Sequence, residues 1–103
     1  MNILKNNNKD QLDIMRKVGK KTNMSQRELA TELGFSLGKL NYCLKELRKK
    51  GFIKIKNFRN SSSKSDYMYA LTPAGLITKK RLIVAFMKLK MKEYDELKLE
   101  IEN

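Results

Sequence analysis

The first half of the chain carries hydrophobic residues at helical spacing. After a polar lead-in over residues 1–9, which we expect to be flexible, either disordered or the frayed start of a helix, apolar side chains recur every three or four residues between Lys9 and Lys20. This period is typical of an amphipathic helix that buries one face. The helix is predicted to end near Gly19 and to contribute four core residues, Leu12, Ile14, Met15 and Val18.

A second helix is marked at both ends by capping residues. Ser25 precedes Glu28 by three positions, the spacing of a capping box, in which each side chain accepts a hydrogen bond from the other residue's backbone N–H. The helix is therefore predicted from Gln26 to about Leu33. Gly34 follows it directly and can take the left-handed conformation that ends a helix.

A third helix follows a short turn, with Ser36 as its N-cap, and is predicted to extend to Lys50 before Gly51 ends it. Two helices joined by a short turn that contains glycine are typical of a helix-turn-helix motif. At 100° per residue, one stripe of the third helix faces the core. This stripe comprises Leu40, Cys43, Leu44 and Leu47.

The hydrophobic period then changes to two, which predicts a β-hairpin. Ile53 and Ile55 alternate with lysines, and a second alternating segment follows a polar tip over residues 59–66. Thr72 and Pro73 then mark the start of a final helix that reaches about residue 101. In the second strand of the hairpin, Tyr67, Tyr69 and Leu71 alternate with Met68 and Ala70. The predicted fold class is mainly α with a small β-wing, a winged helix-turn-helix with a long C-terminal helix.

The face of the third helix opposite the core stripe presents side chains that suit a DNA groove. Asn41 can pair with an adenine edge, and Tyr42 can contact a thymine methyl group or a phosphate. Gly38 would let the start of the helix approach the duplex closely, and serine N-caps with free backbone N–H groups can hold a phosphate. The predicted DNA contacts are Ser25, Gln26, Ser36, Gly38, Lys39, Asn41, Tyr42, Lys45 and Lys49 in the helices, with Arg59 and Lys64 in the wing.

Positive charge is concentrated in the second half of the chain. The 23 Lys and Arg residues outnumber the 11 Asp and Glu residues, for a formal net charge of +12. Residues 47–92 contain thirteen of these cations and one acid, Asp66, whereas residues 93–103 contain five acids and one cation, Lys98. Because a surface of this kind attracts a polyanion, double-stranded DNA is the predicted partner.

The amino-acid composition argues against functions that need catalytic or metal-binding side chains. The chain has no His and a single cysteine, Cys43, so it lacks the usual neutral-pH base and the commonest metal ligand. We therefore expect no enzyme activity, no metal and no cofactor. Cys43 is interpreted as a core residue, since a redox sensor needs an accessible thiolate of low pKa. With no secretory signal and no apolar run of membrane-spanning length, the chain is predicted to be cytoplasmic and nucleoid-associated.

Taken together, these segments resemble the MarR family of bacterial transcription regulators, and more narrowly its short members associated with extracellular polysaccharide (EPS) loci. The resemblance covers about residues 10–102. It implies a homodimer that places Ser36–Lys45 in the major groove and the Arg59-bearing wing on the minor groove or the backbone, and it implies control of polysaccharide genes. The matching segments are Ser25–Ala30, Glu32–Gly34 and Lys50–Gly51, shared with many winged helices, and the more specific Ser36–Lys45, Asn57–Ser61, Leu71–Gly75 and Lys90–Tyr94.

The final helix carries two apolar stripes. Leu82, Phe86 and Leu89 are expected to close the core of the monomer. The other stripe follows a four-three heptad pattern, interrupted at Lys90, and is predicted to pair with its two-fold mate in a homodimer that reads an inverted-repeat operator. The predicted dimerisation residues are Ile83, Met87, Tyr94, Leu97 and Ile101.

The same patterns divide the chain and leave alternatives open. The expected parts are the lead-in at 1–9, a winged helix-turn-helix DNA-binding domain at 10–75 and a dimerisation helix at 76–103. A winged helix that binds RNA or a ribonucleoprotein would need exposed aromatic residues on the wing for base stacking, such as Tyr67 and Tyr69. A protein-only interaction module would make the basic face dispensable. Whether a small-molecule effector binds also stays open.

Overall fold

The computed structural model describes residues 6–20, 24–58 and 67–103. Within these ranges the two strands pair antiparallel in one small sheet, and the predicted fold class is confirmed. The first helix begins three residues before the predicted Lys9, so part of the expected lead-in is helical. In chain order the elements are α1 (Asn6–Lys20), α2 (Gln26–Leu33), α3 (Leu37–Lys49), β1 (Ile53–Phe58), β2 (Tyr67–Leu71) and α4 (Pro73–Glu102).

The predicted caps form as expected at both ends of α2 and at the start of α3. The Ser25 hydroxyl accepts the backbone N–H of Glu28 at 3.2 Å, and the Glu28 carboxylate accepts the N–H of Ser25 at 3.1 Å. Gly34 ends α2 with φ 71°, and the Ser36 hydroxyl caps α3. Each such cap contributes about 0.5–2 kcal/mol to stability, so local sequence specifies the helix-turn-helix.

The core lies between the three N-terminal helices and the sheet. None of the residues predicted for the core from α1 and α3 is more than 4% exposed. Leu29 and Ala30 of α2 and Ile53 and Tyr69 of the sheet join them. Since full burial of one large aliphatic side chain contributes about 1.5–3 kcal/mol, this packing holds the opposite face of α3 towards solvent.

The sheet departs from strict alternation at Met68. Met68 and Tyr69 are both buried, at 8% and 4% exposure, although the period predicted that they lie on opposite faces. The register of the hairpin shifts between Ile55 and Asn57, and Ser25 forms an isolated antiparallel bridge to Met68. The bridge lies at the edge of β2 that does not pair with β1. The alternation of residues within the strand cannot predict this contact, because Ser25 is distant from Met68 in the sequence.

The start of α4 is tied to the end of α3. The backbone N–H of Thr72 donates to the carbonyl of Phe52 at 3.0 Å, and the Thr72 hydroxyl accepts the N–H of Gly75 and donates to the carbonyl of Gly51. A Cβ added to Gly75 would lie only 1.9 Å from the Phe52 carbonyl oxygen. Glycine is therefore required here by a close backbone approach.

The long helix leaves the body of the protein after its first half. Leu82 packs against the core and Phe86 is half-buried, but every residue from Met87 to Asn103 is exposed. The prediction that Leu89 closes the core is therefore wrong, since it is 38% exposed. The helical period placed Leu89 on the correct stripe, but the body of the domain does not extend far enough to cover it.

Candidate nucleic-acid interface

The exposed face of α3 brings together most of the predicted DNA contacts. All six predicted residues that lie within the helix are exposed, and Tyr42 exposes 59% of its surface. A helix of 13 residues is about 20 Å long, so the face offers several groups to one groove of a duplex. The six are Gly38, Lys39, Asn41, Tyr42, Lys45 and Lys49.

Nothing in the described part of the chain explains why Gly38 lacks a side chain. No atom of the described residues lies within 4 Å of a Cβ built at this position, and its φ is not positive, unlike those of Gly34 and Gly51. Glycine within a helix costs about 0.5–1 kcal/mol relative to alanine. The close approach of another molecule to the first turn of α3 would account for a glycine here.

Lys39 is held by contacts with other parts of the chain. Its Nζ lies 3.2 Å from the Asp10 carboxylate of α1 and 4.2 Å from the centre of the Phe35 ring. Its backbone N–H donates to the Ser36 hydroxyl at 3.0 Å. In this arrangement the ammonium group is directed to α1, so a phosphate contact by Lys39 would have to compete with Asp10.

The two remaining lysines of the face differ in their surroundings. Lys49 lies 3.7 Å from Glu46, three residues earlier on the same helix. Lys45 makes no ion pair with any residue that the structure describes. Because an exposed pair of this kind is worth at most about 1 kcal/mol, both ammonium groups are available to an anion, and Lys45 needs no rearrangement.

The two predicted contacts at the start of α2 lie in different environments from the α3 face. Ser25 is half-buried, and its hydroxyl is already the acceptor in the capping box. Gln26 is only 4% exposed, and its Oε1 has no hydrogen-bond partner in the described part of the chain. The side chain of Gln26 is therefore packed inside the domain and is not exposed to a DNA duplex in this structure.

The predicted contacts of the wing tip, Arg59 and Lys64, lie outside the described residues. On β1, however, Lys54 and Lys56 are exposed, and neither was among the predicted contacts. Their alternation with Ile53 and Ile55 was the signal that could have selected them, because a buried stripe on one side of a strand leaves the other side for solvent.

The environment of Cys43 agrees with a core role. Its side chain is 4% exposed. Burial, and next the negative charge of Asp10, raise the pKa of the Cys43 thiol, although Lys39 acts in the opposite direction. A thiol with a raised pKa is a poor nucleophile at neutral pH.

Tyr69, one of the two aromatic residues that kept an RNA-binding function open, is 4% exposed. It is therefore not available to stack on a base. The side chain of Tyr67 lies outside the described residues.

In the described part of the chain, no three His, Cys, Asp or Glu side chains lie close enough together to hold a metal ion. No helix of that part is long and apolar enough to cross a bilayer.

Four of the five predicted dimerisation residues lie on the half of α4 that projects from the domain. Ile83 is half-buried, whereas these four residues are 57–85% exposed. Exposed apolar residues repeated along one face of a helix are typical of an interaction site. The four exposed residues are Met87, Tyr94, Leu97 and Ile101.

Residues 11–54 match a family model described as winged helix-turn-helix DNA-binding. This segment covers α2, α3 and the buried stripe of α1. No curated protein sequence matches the chain significantly.

Solved structures of MarR regulators share the fold. Staphylococcus aureus MarR, in complex with salicylate and kanamycin, is 20% identical with a TM-score of 0.71, and the match covers 84% of this chain and 57% of that one. Streptococcus pneumoniae FabT, in complex with DNA, is 22% identical with a TM-score of 0.61, covering 84% and 59%. The PcaV regulator of Streptomyces coelicolor is 18% identical with a TM-score of 0.68, covering 78% and 57%. The present chain thus spans little more than half the length of these proteins.

Proposed function

We propose that this chain is a MarR-type transcription regulator that binds double-stranded DNA in a sequence-dependent manner as a homodimer. The observation that carries the proposal is the division of α3 into two faces. One face is fixed in the core by four side chains that are at most 4% exposed. The other presents Gly38, Asn41, Tyr42 and Lys45 to solvent, a combination that suits the major groove.

Charge supports the same function. The net charge of +12 favours a polyanion, and phosphate contacts by Lys and Arg release counterions when DNA binds. The fold shared with a regulator crystallised with DNA favours DNA over other polyanions. In this proposal Ser25, Ser36, Lys39, Lys49 and the wing hold the backbone, and the centre of the α3 face reads bases.

Salt dependence tests the electrostatic part. Fluorescence anisotropy with a labelled duplex should show a loss of affinity of about 10³–10⁵ between about 50 and 200 mM salt if 6–10 phosphates are contacted. A dissociation constant that stays within a factor of two would contradict the proposal.

Sequence preference tests the reading face. The preferred site would first be obtained by genomic footprinting with the tagged protein, starting with polysaccharide loci, to which the sequence resemblance points. Asn41→Ala and Tyr42→Ala should each cost about 1–3 kcal/mol on that site and little on a scrambled duplex. Arg59→Ala and Lys64→Ala are the matched controls and should weaken both duplexes alike. Equal losses on both duplexes for the α3 variants would remove Asn41 and Tyr42 from base readout.

A further inference from the structure

The outer half of α4 has an apolar stripe that no described part of the chain covers. Met87, Tyr94, Leu97 and Ile101 are each more than half exposed, and no residue after Phe86 is buried or half-buried. An exposed apolar stripe along one face of a helix is typical of an interaction surface. The segment Met87–Glu102 is therefore expected to pack against a partner, and the positions of its residues indicate which one.

The stripe is symmetric about Lys92. Lys90 and Tyr94 each lie two residues from Lys92, Met87 and Leu97 each lie five, and Ile83 and Ile101 each lie nine. An antiparallel pair of identical helices related by a two-fold axis needs this property, because each position then meets the position equally far on the other side of the axis. In a parallel pair each residue would meet its own copy, and Lys90 would face Lys90.

The distribution of charge along α4 also favours an antiparallel pair. Residues 79–92 contain six cations and no acid, whereas residues 93–102 contain five acids and one cation. An antiparallel pair centred on Lys92 places the basic half of one helix beside the acidic half of the other. A parallel pair would place like charges together, which is unfavourable in an interface.

The surface that would receive the partner is already concave. A groove between α1 and α4 has apolar walls from Leu12, Ile83, Phe86 and Met91, and Arg16 is a cation at the same groove. Lys90 also lines it, with its Nζ 3.6 Å from Glu93 and 5.2 Å from the centre of the Phe86 ring. The ammonium group is thus exposed to solvent beside the stripe, and the stem can pack against an aromatic partner.

We propose that two copies of this chain pair through antiparallel α4 helices about a two-fold axis at Lys92, with the acidic end of each helix seated over the α1–α4 groove of the other copy. In this register Leu97 and Ile101 of one copy face Met87 and Ile83 of the other, and Tyr94 faces Lys90. The inference rests on the homodimer of the proposed function and specifies the direction and register of its helices.

The stripe is tested by a pair of neighbouring substitutions. Leu97 and Leu99 are 60% and 59% exposed, but only Leu97 lies on the stripe. In light scattering at micromolar concentration, wild type and Leu99→Glu should have twice the 12.1 kDa mass of one chain, and Leu97→Glu should be monomeric. A monomeric wild type, or the same mass for both variants, would overturn the proposal.

The direction is tested by cysteine cross-linking in a Cys43→Ala background. Met87→Cys combined with Leu97→Cys should give a disulfide-linked dimer under mild oxidation, while either substitution alone should not. A disulfide within one chain is excluded because ten residues of helix separate the two positions by about 15 Å. Cross-linking by a single variant would indicate parallel helices and overturn the proposal, as would a dimeric double variant that fails to cross-link.

Duplex binding measured on the same samples separates this proposal from the proposed function. A wild-type protein that is monomeric and binds DNA would refute the α4 pairing and leave DNA binding intact. A cross-linked dimer without DNA affinity would do the reverse.

Discussion

Replacing Gly38 by alanine should strengthen the free protein and weaken its complex with DNA. A Cβ at this position meets no atom of the described residues within 4 Å, and Gly38 itself has no positive φ. The helix propensity of alanine therefore adds up to about 0.5–1 kcal/mol. For a domain of this size that stabilisation raises Tm by about 2–8 °C, since 1 kcal/mol corresponds to about 4–8 °C. Thermal unfolding followed by circular dichroism measures it.

The effect on DNA has the opposite sign if the first turn of α3 approaches the duplex. An extra methyl group in a close-packed contact costs about 1–3 kcal/mol, which corresponds to about 5- to 150-fold in the dissociation constant. Anisotropy titrations with the preferred duplex would measure this loss. The same variant is thus expected to be more stable and less active.

Gly34→Ala is the matched control. Its added Cβ also meets no atom within 4 Å in the part of the chain that the structure describes, but the residue has φ 71°, so alanine there is strained by about 1–2 kcal/mol. This variant should be less stable and should bind DNA normally while folded. If Gly38→Ala binds the duplex within a factor of two of wild type, the first turn of α3 does not approach the DNA closely.

Three further predictions follow from contacts inside the domain. Asp10→Asn should release Lys39 and strengthen binding to any duplex by up to about fivefold, the equivalent of 1 kcal/mol. Asp13→Asn removes the same charge from an α1 residue paired with Lys9, and an equal gain in affinity for both variants would show that only net charge matters. Gly75→Ala should destabilise the fold by about 3 kcal/mol or more, and an unchanged denaturation midpoint in urea would contradict the close backbone approach. Cys43 should react slowly with iodoacetamide at pH 7 in the folded protein and rapidly in urea. Because its pKa is raised in the folded state, the unfolded chain loses this proton first as the pH rises, so the contribution of Cys43 to stability should decrease above the ordinary thiol pKa.

Local rules were sufficient for most of the fold. The capping box at Ser25, the left-handed Gly34 and the stripe of Leu40, Leu44 and Leu47 each depend on residues within one or two helical turns. For such features the sequence contains both partners of the interaction. The predicted helices, the hairpin and the exposed face of α3 are therefore found in the structure.

The features that the patterns did not predict depend on neighbours distant in sequence. Gln26 was predicted as a DNA contact, but it is only 4% exposed, beside the bridge between Ser25 and Met68 that brings β2 to the same place. Lys39 is exposed and stays a predicted DNA contact, but the pattern did not indicate its ion pair with Asp10, an acid 29 positions earlier that lies 3.2 Å from its Nζ. A periodic pattern states which face a residue lies on, and it does not state what the rest of the fold places against that face.

Within the proposed interface, α3 and the wing differ in how their contact faces are fixed. The contact face of α3 is fixed by the burial of the opposite face, so the orientation of Asn41 and Tyr42 follows from packing that is already observed. The wing contributes cations, such as Lys54 on β1, but its strands expose their outward side to solvent whatever they bind. A loss of sequence preference on changing Asn41 or Tyr42 would therefore identify the reading element, whereas a loss of overall affinity on changing wing lysines would identify only an anion-binding surface.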